Sequence, residues 1–366
     1  MRILFLQKHA GSGGSKASLA TTLEICRSAP EVQVELLVGE EGPLTARARE
    51  LEVPLHFGHI PEWRKPAQRF FMRRHLGAIL RSLRGRKFDW VVSNEMWWAP
   101  QAAWIARGLG ARSAAILRDG IATARKAASY RLGALDRLLC VSASLAEPLR
   151  DAPGISAGLR VVHNAVRPPA PDEGASRRVA EALASSPHIH AWIAVIGTVG
   201  DRKNQIAALE TLAALNERSG TPWGMLLVGR LEQGYGAQLE AATERLGMQG
   251  AVRVLGELPT VRPVLEVAAC ALLTSRREGM PRSVIEALRL GKPAFSTRVE
   301  GVDEIFGDER PRFVAAPGAP SELAQLMLST LEAIASDGRF FAELRRRTDE
   351  RFSDEAHLAA LRAALE

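Results

Sequence analysis

Short, predominantly apolar runs recur along this chain, separated by longer stretches in which apolar positions return with helical spacing. In the first half the runs fall at 2–6, 32–38, 90–93, 114–117 and 138–141, and helical periodicity is clearest over 16–27 and 100–108. Short apolar strands alternating with amphipathic helices predict parallel βαβ units. The polar, proline-rich segment Pro168-Pro169-Ala170-Pro171-Asp172-Glu173-Gly174 then has the composition of a linker. Beyond it the pattern restarts, with strand runs at 191–196, 225–228, 252–255, 271–274 and 294–297 and a helix over 205–215. Each half opens on a strand, a glycine loop and a helix: Gly11, Gly13, Gly14 and Lys16 in the first, Gly197, Gly200 and Lys203 in the second. The expectation is an α/β protein of two doubly wound domains, 1–168 and 169–350, facing a central cleft. A terminal helix over 351–366 is expected to pack back on the first domain.

Composition agrees with two packed domains: 366 residues, 46% hydrophobic and 24% charged. No uncharged apolar stretch reaches the roughly 18 residues of a membrane span, and the run at 3–6 is too short for a secretory core, so a cytoplasmic protein is expected. Cys26, Cys140 and Cys270 sit among apolar neighbours without CxxC spacing and read as buried free thiols. Charge divides the halves. Lys and Arg outnumber Asp and Glu by 25 to 14 over 1–168 and fall behind, 23 to 27, in the remainder. Within 63–87 there are nine cations and no acid, threaded by Phe71, Leu76, Ile79, Leu80 and Leu83. This is either a basic amphipathic helix suited to an acidic substrate or to the anionic inner face of the cell membrane, or a solvated arginine face whose apolar side is core.

Several familiar chemistries find no support. Around Lys16 the residues Ser15 and Ala17 break the Walker A spacing, and Lys16 itself stands where a dinucleotide loop needs its third glycine. What remains near Gly13, Gly14 and Lys16 is either a turn whose amides hold phosphate or sugar oxygens, or a plain tight turn. His56, His59, His188 and His190 lack partners at metal-ligand spacing, and no G-x-S-x-G elbow is present. No nucleic-acid motif accompanies the high pI, and the second half is acidic, so nucleic acid is not an expected partner.

The richest constellation is Ser275-Arg276-Arg277-Glu278-Gly279-Met280-Pro281-Arg282-Ser283-Val284-Ile285-Glu286-Ala287-Leu288. It follows a strand run and opens a helix with Pro281 near N1 and a stop at Gly291, with Pro293 beyond. Glu278 then lies in the loop and Glu286 in the second helical turn. The two carboxylates either receive sugar and ribose hydroxyls beside a phosphate at the helix N-terminus, or serve as a dipole complement and an exposed helical acid.

Over 191–306 the chain resembles the donor domain of GT-B retaining glycosyltransferases of glycosyltransferase family 4. The pieces occur in order: Gly197, Arg202-Lys203, Val228-Gly229, Val254-Leu255-Gly256, the 275–287 segment, Gly291-Lys292-Pro293 and Gly301-Val302-Asp303-Glu304. In the first half, Asp136 to Ser142 and the Asn164-Ala165-Val166 segment match more loosely. The resemblance implies a GT-B fold of two Rossmann-like domains and a nucleotide-sugar donor. Arg202 and Lys203 would clamp the diphosphate, Glu278 would lie beside the sugar, and Glu286 would take the ribose. Gly197, Ser275 and the amides near Gly279, Met280 and Pro281 would line the donor pocket, with backbone near Leu255 and Gly256 at the base. Glu278, Lys203 and Arg202 would carry catalysis without a metal or other cofactor. The departures are Arg118-Asp119 where the family has His, Ala165 for Gly, and Cys270 for Asp; Arg118 and Asp119 are assigned to the acceptor side with Gly13, Gly14 and Lys16. The expected activity is retaining transfer of a sugar to a polysaccharide, lipopolysaccharide or lipid-linked acceptor of the cell envelope. A nucleotide-sugar epimerase and a silent nucleotide- or sugar-binding protein are the alternatives.

Overall fold

The computed structural model describes the chain except residues 66, 67, 69, 120–123, 153, 154, 156 and 157. It divides into two compact units, Met1–Val166 with Phe352–Glu366, and Arg167–Arg351.

The first unit is built on a seven-stranded parallel sheet, ordered β3-β2-β1-β4-β5-β6-β7. Its strands are β1 (Arg2–Gln7), β2 (Gln33–Val38), β3 (Leu55–Phe57), β4 (Trp90–Ser93), β5 (Arg112–Leu117), β6 (Arg137–Cys140) and β7 (Leu159–Val161). Ile3, Leu4, Phe5 and Leu6 are wholly buried, as expected of a central parallel strand covered on both faces. Strand order reverses at β1, which pairs with β2 through Phe5 and Leu36 and with β4 through Phe5 and Val92. The crevice at such a reversal, beyond the strand carboxyl ends, is where doubly wound sheets place ligands.

The second unit repeats the plan in a six-stranded sheet, β10-β9-β8-β11-β12-β13. Here β8 is Ala191–Ile196, β9 Trp223–Val228, β10 Val252–Gly256, β11 Cys270–Leu273, β12 Ala294–Thr297 and β13 Val314–Ala315. Its reversal lies between β8 and β11, where Cys270 pairs with Ile193 and Ala271 with Ala194.

The terminal helix Asp354–Leu365 belongs to the first unit. Its His357 ring is buried between the Thr22 hydroxyl at 3.0 Å and the His163 carbonyl at 2.6 Å. The buried Trp90 indole donates to the Leu365 carbonyl at 2.8 Å. All three cysteines are buried and free, and burial pushes the Cys26 and Cys270 thiols up to about 12.

The basic stretch over 63–87 is not one helix: the helix runs Met72–Ser82, and Arg69 lies outside the described residues. Met72, Leu76, Ile79 and Leu83 are buried in the core with Leu4, Leu6 and Val91, so the apolar side is largely core. Leu80 fits only because residue 108 is glycine; a Cβ there would lie 2.3 Å from a Leu80 methyl. No helix among the described residues is long and apolar enough to cross a membrane.

Candidate functional site

In the second unit the loop after β8 and the loop after β11 lie side by side at the sheet reversal. They are laced by backbone: the Arg276 amide donates to the Arg202 carbonyl at 2.9 Å, and the Thr274 hydroxyl to the Asn204 carbonyl at 2.9 Å. Between them sits Glu278, buried, with Lys203 Nζ at 2.8 Å and Arg202 Nη1 at 3.2 Å. Burial pushes the Glu278 carboxyl up, but the Lys203 and Arg202 charges outweigh it and hold the group below the ordinary glutamate range. The Ser275 hydroxyl, also buried, adds to that hold from a position outside hydrogen-bond geometry.

Glycine makes this packing possible. Gly197 follows β8 at φ +135, and a Cβ on it would meet Lys203 Cε at 2.7 Å. Just after neighbouring β9, a Cβ at Gly229 (φ +142) would lie 2.2 Å from the Gly197 carbonyl oxygen.

Pro281 is the N-cap of the helix Arg282–Arg289 rather than its first residue, because its ψ of 95° is still extended. Glu286 is not an exposed acid. Its side chain is 15% exposed and faces Arg282 at 3.3 Å. Burial raises its carboxyl above the usual range, against the pull of Arg282 and, more weakly, Lys203. Met280 is buried, and Gly279 and Met280 pack against Gly301, where a Cβ would lie 3.0 Å from the Gly279 carbonyl oxygen.

Gly197, Arg202, Lys203, Ser275 and Glu278 thus gather at one point, with Gly279, Met280, Pro281 and Glu286 leading away along one loop and helix. Leu255 and Gly256 stand apart at the end of edge strand β10, joined to this row where the Gly256 carbonyl accepts the Gly229 amide at 2.9 Å. Glu300 was missed by sequence reasoning; its carboxylate accepts the Glu278 backbone amide at 2.9 Å.

In the first unit a second polar cluster fills the reversal between β1 and β4. Lys16 does not present a bare ammonium, since Glu95 Oε1 lies 2.9 Å away and also accepts the Ser15 hydroxyl at 2.7 Å. Burial pushes the Glu95 carboxyl up, yet Lys16 and its hydrogen bonds hold it below the ordinary range. Gln7, at the end of β1, accepts from the Asn94 amide at 2.6 Å. Arg118, at the end of β5, donates to the Asn94 side-chain oxygen at 2.8 Å and also to that of Asn164. Gly13 (φ +132) caps the helix that Gly14 begins, and Asp119 follows Arg118 directly. Asn94 and Glu95 were missed as well. Two polar residues placed immediately after an apolar strand run were the available signal.

Two parallel-sheet units with these strand orders, each with a polar cluster at its reversal, have the GT-B architecture. Residues 186–350, which lie within the second unit, match the family model described as Glycosyl transferases group 1.

Among individual proteins, a 2-deoxystreptamine glucosyltransferase of Streptomyces kanamyceticus is 29% identical over 145 residues, which are 38% of this chain and 36% of that protein. The match therefore spans little more than a third of the curated relative. Among solved structures, Anabaena Alr3699/HepE in complex with UDP and glucose superposes with a TM-score of 0.81 at 16% identity, covering 99% of each chain. The lipopolysaccharide outer core galactosyltransferase WaaB in its apo form gives a TM-score of 0.71 at 16% identity over 100% of this chain and 99% of its own. These two likenesses show the fold.

Proposed function

We propose that this protein transfers a sugar from a nucleotide-sugar donor, with retention of anomeric configuration, to a polysaccharide, lipopolysaccharide or lipid-linked acceptor. The carrying observation is the Arg202–Lys203–Glu278 group at the sheet reversal. A nucleoside diphosphate gains negative charge as it leaves, and two fixed cations beside a helix N-terminus supply the countercharge without a divalent ion. The Anabaena neighbour captured with UDP and glucose supports a donor of that chemical class. Glu286, partly sheltered and facing along the helix, takes the ribose hydroxyls in this reading. Leu255 and Gly256 offer backbone to the base, and the Lys16–Glu95–Arg118 cluster serves the acceptor.

Glu278 is buried and ion-paired on two sides, which suits electrostatic support of the reacting sugar better than covalent attack by a free carboxylate. The test is incubation with a panel of nucleotide sugars and glycan acceptors, followed by NMR of the anomeric proton. A product of retained configuration is expected from the wild type. Glu278→Gln should bind nucleotide normally and transfer about 10²- to 10³-fold more slowly. An inverted product overturns the retaining assignment, and release of an epimerised nucleotide sugar without glycoside overturns transfer itself.

A further inference from the structure

The helix Met72–Ser82 has two faces of different chemistry. Met72, Leu76 and Ile79 are committed to the core, while Arg73, Arg74 and Arg81 stand exposed on the other side, with Arg84 just beyond the end. Lys65 and Arg86 at the margins are neutralised by Glu62 at 2.9 Å and Glu35 at 2.8 Å. No ion pair holds Arg73, Arg74, Arg81 or Arg84 among the described residues.

At the start of this helix Phe70 and Phe71 project into water, 82% and 50% exposed, their rings edge to face at 5.2 Å. Water is a poor neighbour for two large rings, and the core has no place for them because the buried side of the helix is already filled. A partner that satisfies the whole surface must be apolar at the phenylalanines and anionic one helical turn away. Rings set at 89° offer no flat platform for successive bases, which weighs against single-stranded nucleic acid. A bilayer with acidic headgroups has both properties in one plane.

We propose that this surface docks on an anionic phospholipid membrane, Phe70 and Phe71 entering the headgroup boundary while Arg73 and Arg74 meet lipid phosphates. The inference stands apart from the transfer reading, since none of these residues belongs to either polar cluster described above.

The full-length protein is sedimented with vesicles of phosphatidylcholine alone or containing about 30% phosphatidylserine, the acidic lipid supplying the negative surface potential. Wild type should partition at least about tenfold better onto the acidic vesicles, and lose that preference as salt shortens the screening length. Joint Phe70→Ser and Phe71→Ser should lower binding about tenfold, because the apolar contribution is removed. Joint Arg73→Gln and Arg74→Gln should lower it about fivefold per cation. Both pairs are exposed, so unchanged melting temperatures are expected and either pair gives a reading if the other fails to fold. Equal partition onto the two vesicle types overturns the proposal. So does full binding by the phenylalanine variant, and so does RNA that displaces the protein from vesicles and binds wild type and phenylalanine variant alike.

Discussion

Glu278 and Glu286 are both drawn out of water, and their neighbours decide opposite outcomes. Two cations within 3.2 Å keep Glu278 ionised. Glu286 has Arg282 at 3.3 Å on its own helix, and desolvation wins, raising its carboxyl. A group whose folded pKa is raised contributes stability below its unfolded pKa and loses it as pH rises through the folded value. Above its unfolded pKa, Glu286 is therefore a burden on the fold, of the kind a binding residue carries for its ligand. Glu286→Gln should melt higher than wild type at pH 7.5, with the difference shrinking towards pH 4 as both carry a neutral side chain. Its nucleotide affinity should fall about tenfold to a hundredfold, as for a lost hydrogen bond to a charged acceptor. Calorimetric melting across pH, paired with nucleotide titration, checks both halves. A variant that is less stable at neutral pH removes the argument.

The element that shows most plainly how local chemistry controls packing is the terminal helix Asp354–Leu365. His357 anchors it as a neutral ring shared by Thr22 and the His163 carbonyl. Burial lowers its pKa to about 4, with nearby Arg118 adding to the effect and Asp354 and the His163 carbonyl opposing it. A depressed pKa contributes stability that is present above the unfolded value and lost as pH falls, here between about 6.5 and about 4. The full window is worth about 3 kcal/mol at roughly 1.4 kcal/mol per pH unit. Hydrogen-exchange protection of residues 354–365 should fall across that range. In His357→Gln, whose side chain does not titrate, protection should start lower and stay flat. A pH response that persists in the variant assigns the effect to other groups.

At the scale of the molecule, the first unit is discontinuous in sequence. Phe352, Leu361 and Leu365 are almost wholly buried, and Trp90 loses the carbonyl that accepts its indole N–H if Leu365 is removed. Each fully buried large apolar side chain contributes about 1.5–3 kcal/mol, so the segment carries a large part of a typical domain's roughly 5–15 kcal/mol. A fragment of residues 1–166 should not fold alone and should be rescued by a linked copy of 352–366. The fragment 167–351 should fold by itself. Circular dichroism and limited proteolysis of the three fragments decide this, and a cooperatively folded 1–166 contradicts it.

The sequence by itself determined most strands and the doubly wound plan. A parallel strand covered on both faces is largely apolar, which is why 90–93 and 191–196 coincide with β4 and β8, while the small Ser296 and Thr297 are buried at the end of β12. Strands β3, β7 and β13 escaped notice because they are only two or three residues long and leave residues such as Phe57 and Val161 exposed, so no apolar run marks them. Loops rich in glycine and charge at strand ends were equally legible, since the main chain must turn there. Tertiary structure alone decided which loops meet. Arg202 and Glu278 are 76 residues apart, and Lys16 and Glu95 79 apart, yet each pair is joined because β8 neighbours β11 and β1 neighbours β4. It also decided that the arginines of the basic helix keep their charge in water while Phe70 and Phe71 are left outside the core. Periodicity states which residues share a face; only packing states what that face is pressed against, because burial belongs to the neighbours and not to the residue.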